Sequence, residues 1–316
     1  MTRILVLGGT GFVGRTVCER LSERSASDRI VVPTRRGPRG DGVKLLPTVD
    51  LVSGDVNDAG TLARLLAGCD AVINLVAILH GSRAAFDRVH VGLPQQLVQA
   101  CKGVGVRRIV HVSALGVGPA APSNYLRSKT AGETVLATSG LDVTLLRPSV
   151  IFGAQDRFLN LFARLQSMAP VVPLAGSTAR FQPVWVEDVA AAIVACLDQP
   201  ASIGQVYECV GPAEFTLSQI VRLAGRWAGH ERPQIALPAW AGRLQAASLE
   251  VLPGEPLMSR DNLDSMRVPN VASGTLPGLQ ALGITPAAMD AVAPGYLGDR
   301  FKRPDLDRWR AGAGRT

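Results

Sequence analysis

Lysine is nearly missing from this 316-residue chain: of its 33 basic residues, only Lys44, Lys102, Lys129 and Lys302 are not arginine. The arginines lie scattered among alanine and glycine, which marks a compositional bias of the source genome and not a basic face. No zinc-finger spacing or basic–aromatic interleaving accompanies them, so nucleic acid is not an expected partner. A net charge of +7 leaves a weak attraction for anionic lipid or acidic partners. Cysteine is scarce too. Cys18, Cys69, Cys101, Cys196 and Cys209 form no C-x-x-C, which excludes a disulfide scaffold and predicts buried, reduced thiols. His80, His90, His111 and His230 have no metal-ligand spacing, and no metal is expected. No apolar run approaches the ~20 residues of a membrane span. A strand pattern begins directly after Met1-Thr2-Arg3, leaving no room for a signal peptide. The expected location is cytoplasmic, with a peripheral position on the inner face of the cytoplasmic membrane as an extension of that reading.

What is present is a regular alternation. With 47% hydrophobic residues, the chain can bury one large core or two modest ones. Strand-like runs at 3–8, 29–34, 49–53, 70–76, 107–113 and 141–147 alternate with helical patterns at 12–23, 58–67, 84–103, 124–138 and 157–167. This predicts an α/β fold: a Rossmann-type doubly wound parallel sheet with a smaller, mostly helical α/β second lobe. In the third and longest of the helical patterns, 84–103, the apolar spacing is plain; Phe86, Val89, Leu93, Leu97 and Cys101 recur at steps of three and four and read as core.

The first thirty-six residues carry the chemistry. The run Ile4-Leu-Val-Leu stops at Gly8-Gly9-Thr10-Gly11-Phe12-Val13-Gly14, and a helical pattern follows at once. A chain this rich in glycine holds about 0.3–0.4 copies of G-x-G-x-x-G by chance, so the surrounding strand and helix carry the inference. Gly9 allows the sharp turn, Gly11 lets backbone N–H groups approach a pyrophosphate, and Gly14 lets the helix pack closely on the sheet. The helix then offers free N–H groups and its positive dipole end to phosphate. Thr34 stands where an NAD site usually carries a carboxylate for the ribose 2′-hydroxyl. Arg35 and Arg36 follow it, and Arg15 flanks the glycines. A guanidinium grips a 2′-phosphate that a carboxylate would repel, so NADP(H) is preferred, with NAD(H) as the alternative. Residues 1–155 are expected to form the NAD(P)-binding domain and 156–316 the substrate or partner lobe.

Ligands of such sheets lie beyond the carboxyl ends of the strands. After the third strand, Asp55 could accept from the adenine amino group or cap the next helix, with Val56 beside it. Leu75, Val76 and Ala77 after the fourth strand are small and apolar enough to lie against the riboses. Val112 and Ser113 end the fifth strand, and Pro148 and Val150 end the sixth.

Tyr125 and Lys129 stand four apart on a helix and so share a face. A nearby ammonium would lower a phenol's pKa from about 10 and make it a usable acid or base. With the glycine cluster and Arg147-Pro148, the pair resembles the short-chain dehydrogenase/reductase superfamily in its extended or atypical branch. More narrowly, the chain is similar to the NADPH-binding accessory subunit family of respiratory complex I and its bacterial relatives. That likeness rests on Asn74-Leu75-Val76, Tyr125-Leu-Arg-Ser-Lys129-Thr-Ala-Gly-Glu133, Ile151 to Asn160, Gln182 to Val189 and Pro277 to Gly283. It implies complex I subunits, a quinone or a membrane surface as partners, and a nucleotide held structurally or for redox sensing.

One position departs from active members, which place Ser or Thr after the fifth strand to bind the substrate oxygen. Here Ala114 stands there, with Ser113 one residue earlier and able to substitute only through a local bulge. Tyr125, Lys129 and Ser113 are the candidate catalytic groups. Loss of one such hydrogen bond commonly slows a reaction about 100-fold or more, so weak or absent catalysis is expected; the alternative is an active NADPH-dependent oxidoreductase, epimerase or dehydratase acting on a hydrophobic carbonyl or quinone, with Tyr125 as proton donor. In the second lobe, Asp188 is expected to cap the helix near 189–197. Trp240, Leu244, Ala247 and Val251 form a stripe that either packs on its own lobe or makes a lip open to an apolar substrate or partner. The basic tail with Arg300, Lys302, Arg303, Arg308 and Arg310 reads as a polar strip.

Overall fold

The computed structural model describes residues 2–35, 41–251, 254 and 256–298. Arg36 and the basic tail lie outside the described residues. Strands β1 (Arg3–Leu7), β2 (Arg29–Thr34), β3 (Val49–Ser53), β4 (Ala71–Asn74), β5 (Arg108–Val112), β6 (Asp142–Pro148) and β7 (Val206–Cys209) form one parallel sheet in the order β7-β6-β5-β4-β1-β2-β3. The order reverses beside β1, which opens the crevice at its carboxyl end. The expected α/β fold is present, and the six strands read from the sequence fall within two residues of their expected limits.

Alternation explains the layers. Ile4, Val6, Ile30, Val32, Ile73 and Val110 face helices α1 (Phe12–Arg24) and, later in the chain, Val186–Asp198. Leu5, Leu7, Val31, Val72 and Ile109 face the other way, onto α2 (Ala59–Leu66) and α3 (Leu93–Val104). Both faces are buried, as a parallel sheet requires. Asp58 starts α2 by accepting the Thr61 N–H at 2.7 Å, so the capping role weighed for Asp55 belongs three residues later. Helix α4 (Asn124–Ala137) carries the tyrosine–lysine pair, with Ser123 as its cap.

The seventh strand was not expected. It arrives after the chain has left the sheet to build α5 (Leu159–Met168) and returned through α6 (Val186–Asp198). Only four residues long, Val206–Cys209 has no clear pattern against its neighbours. The second lobe adds α7 (Leu217–Trp227), α8 (Ala239–Val251) and α9 (Arg260–Ser265), together with three short strand pairs. Its core joins Phe152, Leu159, Phe162, Leu217, Ile220 and Leu297.

One expectation is overturned and one open alternative is decided. Asp188 does not cap α6: the helix starts at Val186, and the Asp188 carboxylate accepts the Ala287 N–H at 2.8 Å, tying the later chain to the sheet. The stripe on α8 does not pack on its own lobe. Trp240, Leu244 and Val251 are 72%, 66% and 85% exposed, because the helix rests on the opposite positions Gly242 and Ala246. A Cβ at Gly242 would lie 2.7 Å from that of Ala175, so the smallest residues make this contact.

Candidate functional site

The glycine turn is built by close approach. Gly8 has φ +85°, and Gly11 N–H donates to its carbonyl at 2.9 Å. A Cβ on Gly14 would fall 2.2 Å from the Gly8 oxygen, and one on Gly9 would fall 2.8 Å from Val32. The positive-φ residue is thus Gly8, one earlier than the turn glycine expected. Helix α1 follows Gly11 with no side-chain cap and no acidic residue in its first turn, leaving its positive end without a built-in anion. Val13 packs on the core, while the Phe12 ring lies against Gly153.

Around this turn, Arg15 bonds the Thr10 carbonyl at 3.2 Å and Gln155 Oε1 at 3.1 Å. Arg35 is exposed, and its charge helps hold the Asp55 carboxyl below the usual range, after the hydrogen bond from the Asn57 backbone. Asp55 is exposed and Val56 half-buried. Leu75 takes a hydrogen bond position beside β1, its N–H donating to Leu7 at 2.9 Å, and Val76 N–H donates to the Asn74 side chain at 3.2 Å. Ala77 is exposed. These residues therefore line the carboxyl ends of β1 to β4.

The second half of the site lies past β5 and β6. Ser113 is 5% exposed, and its Oγ has no hydrogen-bond partner. Ala114 packs with Tyr125, Leu126 and Ala121. Lys129, 2% exposed, donates from Nζ to the Val112 carbonyl at 2.8 Å. Burial lowers its ammonium to about 8, against the opposing pull of Glu133. Glu133 takes both Nε and a terminal nitrogen of Arg147, at 2.9 and 2.5 Å. Burial pushes the Tyr125 phenol up to about 12. The acidified phenol expected from the pair is thus corrected: burial raises the phenol, and the ammonium is turned to a backbone carbonyl.

Sequence reasoning passed over His90. Its Nε2 accepts the Ile78 N–H at 3.2 Å, and Nδ1 lies 2.8 Å from Ser128 Oγ, which donates to the Tyr125 carbonyl at 2.8 Å. Burial lowers its pKa to about 3, so the ring is neutral. It stands edge-on to Tyr125, 5.5 Å between centroids. It sits in a π-turn, Arg88–Gly92, just before Pro94, which has no N–H to give to the helix ladder. A Cβ at Gly132 would lie 2.0 Å from the His90 carbonyl oxygen. The glycine inside an otherwise helical pattern was the available signal.

The arrangement accommodates a dinucleotide: a glycine cradle that any Cβ would fill, an uncapped helix end, and an orphaned buried hydroxyl at the far end. Among the described residues there is no cluster that could hold a metal, and no helix long and apolar enough to cross a membrane. All five cysteines are buried and free.

A crevice of this form defines a Rossmann-type nucleotide-binding protein. The chain belongs to the NAD dependent epimerase/dehydratase family, whose profile matches residues 4–209. It is homologous to NADH dehydrogenase (ubiquinone) 1 alpha subcomplex subunit 9, mitochondrial, from Rattus norvegicus, with 31% identity over 297 residues, 90% of this chain and 77% of that protein. It is also 31% identical over 238 residues to a ceramide reductase from Caulobacter vibrioides, covering 74% of this chain and 73% of the relative. Among solved structures, a dTDP-glucose 4,6-dehydratase from Streptomyces venezuelae with NAD bound superposes with a TM-score of 0.72 at 23% identity, covering 98% of this chain and 99% of that one. That likeness concerns the fold.

Proposed function

We propose that this protein holds NADP(H) as a structural or redox-sensing group, in association with respiratory complex I or quinone metabolism, and that its catalysis is weak or absent. The observation that carries this reading is Ala114, packed against Tyr125 where an active site needs a hydroxyl. The raised phenol and the Lys129–Val112 bond support it. So does the homology to a subunit of NADH dehydrogenase.

When bound, the nicotinamide would supply or accept a hydride. The chain's own residues do the rest. Gly8, Thr10, Gly11, Phe12, Val13 and Gly14 receive the pyrophosphate, Arg35 and Arg15 take the 2′-phosphate, and Asp55 and Val56 meet the adenine. Leu75, Val76, Ala77, Val112, Ser113, Pro148 and Val150 line the ribose and nicotinamide end, where Tyr125 and Lys129 are ribose contacts. In this reading residues 1–155 supply most of the nucleotide site and 156–316 the partner side. The exposed Trp240, Leu244 and Val251 are the surface offered to a complex I subunit, a quinone or the membrane face, and the setting is cytoplasmic.

A second reading, an active NADPH-dependent reductase, epimerase or dehydratase on a hydrophobic carbonyl or quinone, is favoured by the intact Tyr125–Lys129 pair and the ceramide reductase homology. One experiment divides them: the nucleotide extracted from the purified protein is identified and its oxidation with quinones is followed. Full occupancy by NADPH that never oxidises supports the first reading. Several turnovers per second, abolished by Tyr125→Phe, support the second.

A further inference from the structure

Residues 260–270 of the second lobe run as a strap across the carboxyl ends of the sheet. At its start, the Asp261 carboxylate accepts the N–H groups of Asn124 and Tyr125 at 2.7 and 3.0 Å. Ser265 Oγ donates to Ser123 Oγ at 2.8 Å, and Ser123 in turn caps Leu126. The whole first turn of α4 is thereby satisfied, two of its three N–H groups by a residue 136–137 positions away. A carboxylate there is also favoured by the helix dipole. At the strap's end, Asn270 Oδ1 accepts the Val150 N–H at 2.9 Å and the Ser149 hydroxyl at 2.7 Å. Between the two, Val268 packs on the turn after β5, 3.4 Å from where a Gly116 Cβ would stand.

The strap is itself braced. Arg260 pairs with Glu250 at 2.9 Å and Arg243 with Asp264 at 3.5 Å, binding α9 to α8. Asn270 N–H donates to Arg180 at 2.8 Å, and Gln182 N–H donates to the Asn270 carbonyl at 3.0 Å, which fixes the other end to the second lobe. The backbone of the glycine turn bonds instead within itself and to β1, Arg15 beside it bonds Gln155, and the Asp55 loop bonds to Thr34 of β2 and to Asn57.

We propose that Asp261 and Asn270 are positioning residues, through which the second lobe sets the nicotinamide end of the nucleotide site while leaving the adenine end independent. The inference rests on the nucleotide-holding reading above. In that reading Tyr125 and the Pro148–Val150 segment both belong to the nicotinamide end, and one strap holds the backbone of both. A change in the second lobe thus reaches the nicotinamide without passing through the pyrophosphate turn.

The test compares NADPH with 2′-phospho-ADP-ribose, which has the adenine end but no nicotinamide. Binding of each to the full chain is measured by calorimetry, and the fluorescence of bound NADPH reports the dihydronicotinamide environment. In Asp261→Ala and Asn270→Ala, NADPH affinity should fall about tenfold and its fluorescence enhancement should shrink. The phospho-ADP-ribose affinity should stay within about twofold. Asn270→Asp, which keeps the Oδ1 acceptor, should restore both NADPH signals. Should Asp261→Ala fail to fold, Asp261→Asn and the two Asn270 variants give the same comparison. Equal loss of both ligands, or no loss of either, overturns the proposal. If the unaltered protein binds neither ligand, the nucleotide reading itself falls, a result visible before any variant is made.

Discussion

The Lys129 ammonium donates to the Val112 carbonyl oxygen at 2.8 Å. The relationship fixes the cation one residue from the orphaned Ser113 hydroxyl and one turn of helix from the phenol it was expected to acidify. In place of an activated tyrosine, the site shows a buried cation supported by Glu133, itself clamped by Arg147.

That burial has a pH signature. The Lys129 pKa in the fold is about 8, below its ordinary value, so the folded protein has released a proton that the unfolded chain still holds. Its contribution to stability therefore rises as pH climbs from about 8 to about 10.5. The buried thiols, all raised, act in the opposite direction above their ordinary range. Comparison with Lys129→Met isolates the lysine: the stability of the unaltered protein relative to that variant should increase between pH 8 and 10 in urea titrations.

Acid should act through the histidines. His90 and His111 are both held neutral by burial, His90 down to about 3. Stability present above the ordinary imidazole pKa is lost as pH falls from about 6.5 towards 3, with a slope of up to about 1.4 kcal/mol per pH unit for each ring. His90→Asn should flatten that slope, and unfolding midpoints at pH 7, 6 and 5 measure it.

Gly132 is the tightest contact in the tyrosine helix. Gly132→Ala places a Cβ 2.0 Å from the His90 carbonyl oxygen and should destabilise the protein by about 1–3 kcal/mol. Gly103→Ala in α3, where nothing lies within 4 Å, should be neutral or stabilising by up to about 1 kcal/mol. Denaturant midpoints of the two variants give the comparison.

A hydroxyl placed at position 114 tests the proposal that catalysis is weak. Ala114→Ser should raise NADPH-dependent reduction of a quinone by about 100-fold over the unaltered protein. Adding Tyr125→Phe should remove the gain, as stopped-flow absorbance at the nicotinamide band would show.

The proposed 2′-phosphate preference and the exposed helix face are checked separately. Arg35→Asp should weaken NADPH by more than about tenfold and NADH far less, since charged hydrogen bonds contribute about 1.5–3 kcal/mol. Trp240→Asp should reduce retention on anionic vesicles or on a complex I preparation and leave NADPH binding unchanged, because Trp240 is 72% exposed.

The sheet was readable because each parallel strand is a short apolar run followed by a helical pattern, and burial on both faces gives the same sequence as the alternation demands. The pair Tyr125–Lys129 was readable for its rarity. What they do was not: the direction of a pKa depends on how far a side chain is desolvated and on where its neighbour turns, and Lys129 turns to a backbone oxygen. Asp261 and Asn270 were equally hidden, since an ordinary Asp and Asn acquire their roles from segments more than a hundred residues earlier. The outward face of α8 was left open between two readings, because a stripe of apolar residues does not reveal which side the neighbouring glycine and alanine dock.

The position of β7 has a further consequence. Paired to β6 through Val206 and Leu145, it covers the margin of β6 that would otherwise present a row of unpaired backbone groups, and its own outer side is met by the bridge between Glu208 and Gly278. A fragment ending after β6 would carry the whole glycine turn and yet leave a bare strand margin, a template for edge-to-edge aggregation. During synthesis the nucleotide unit cannot finish until about sixty further residues have emerged. Its completion thus waits on the lobe beside it.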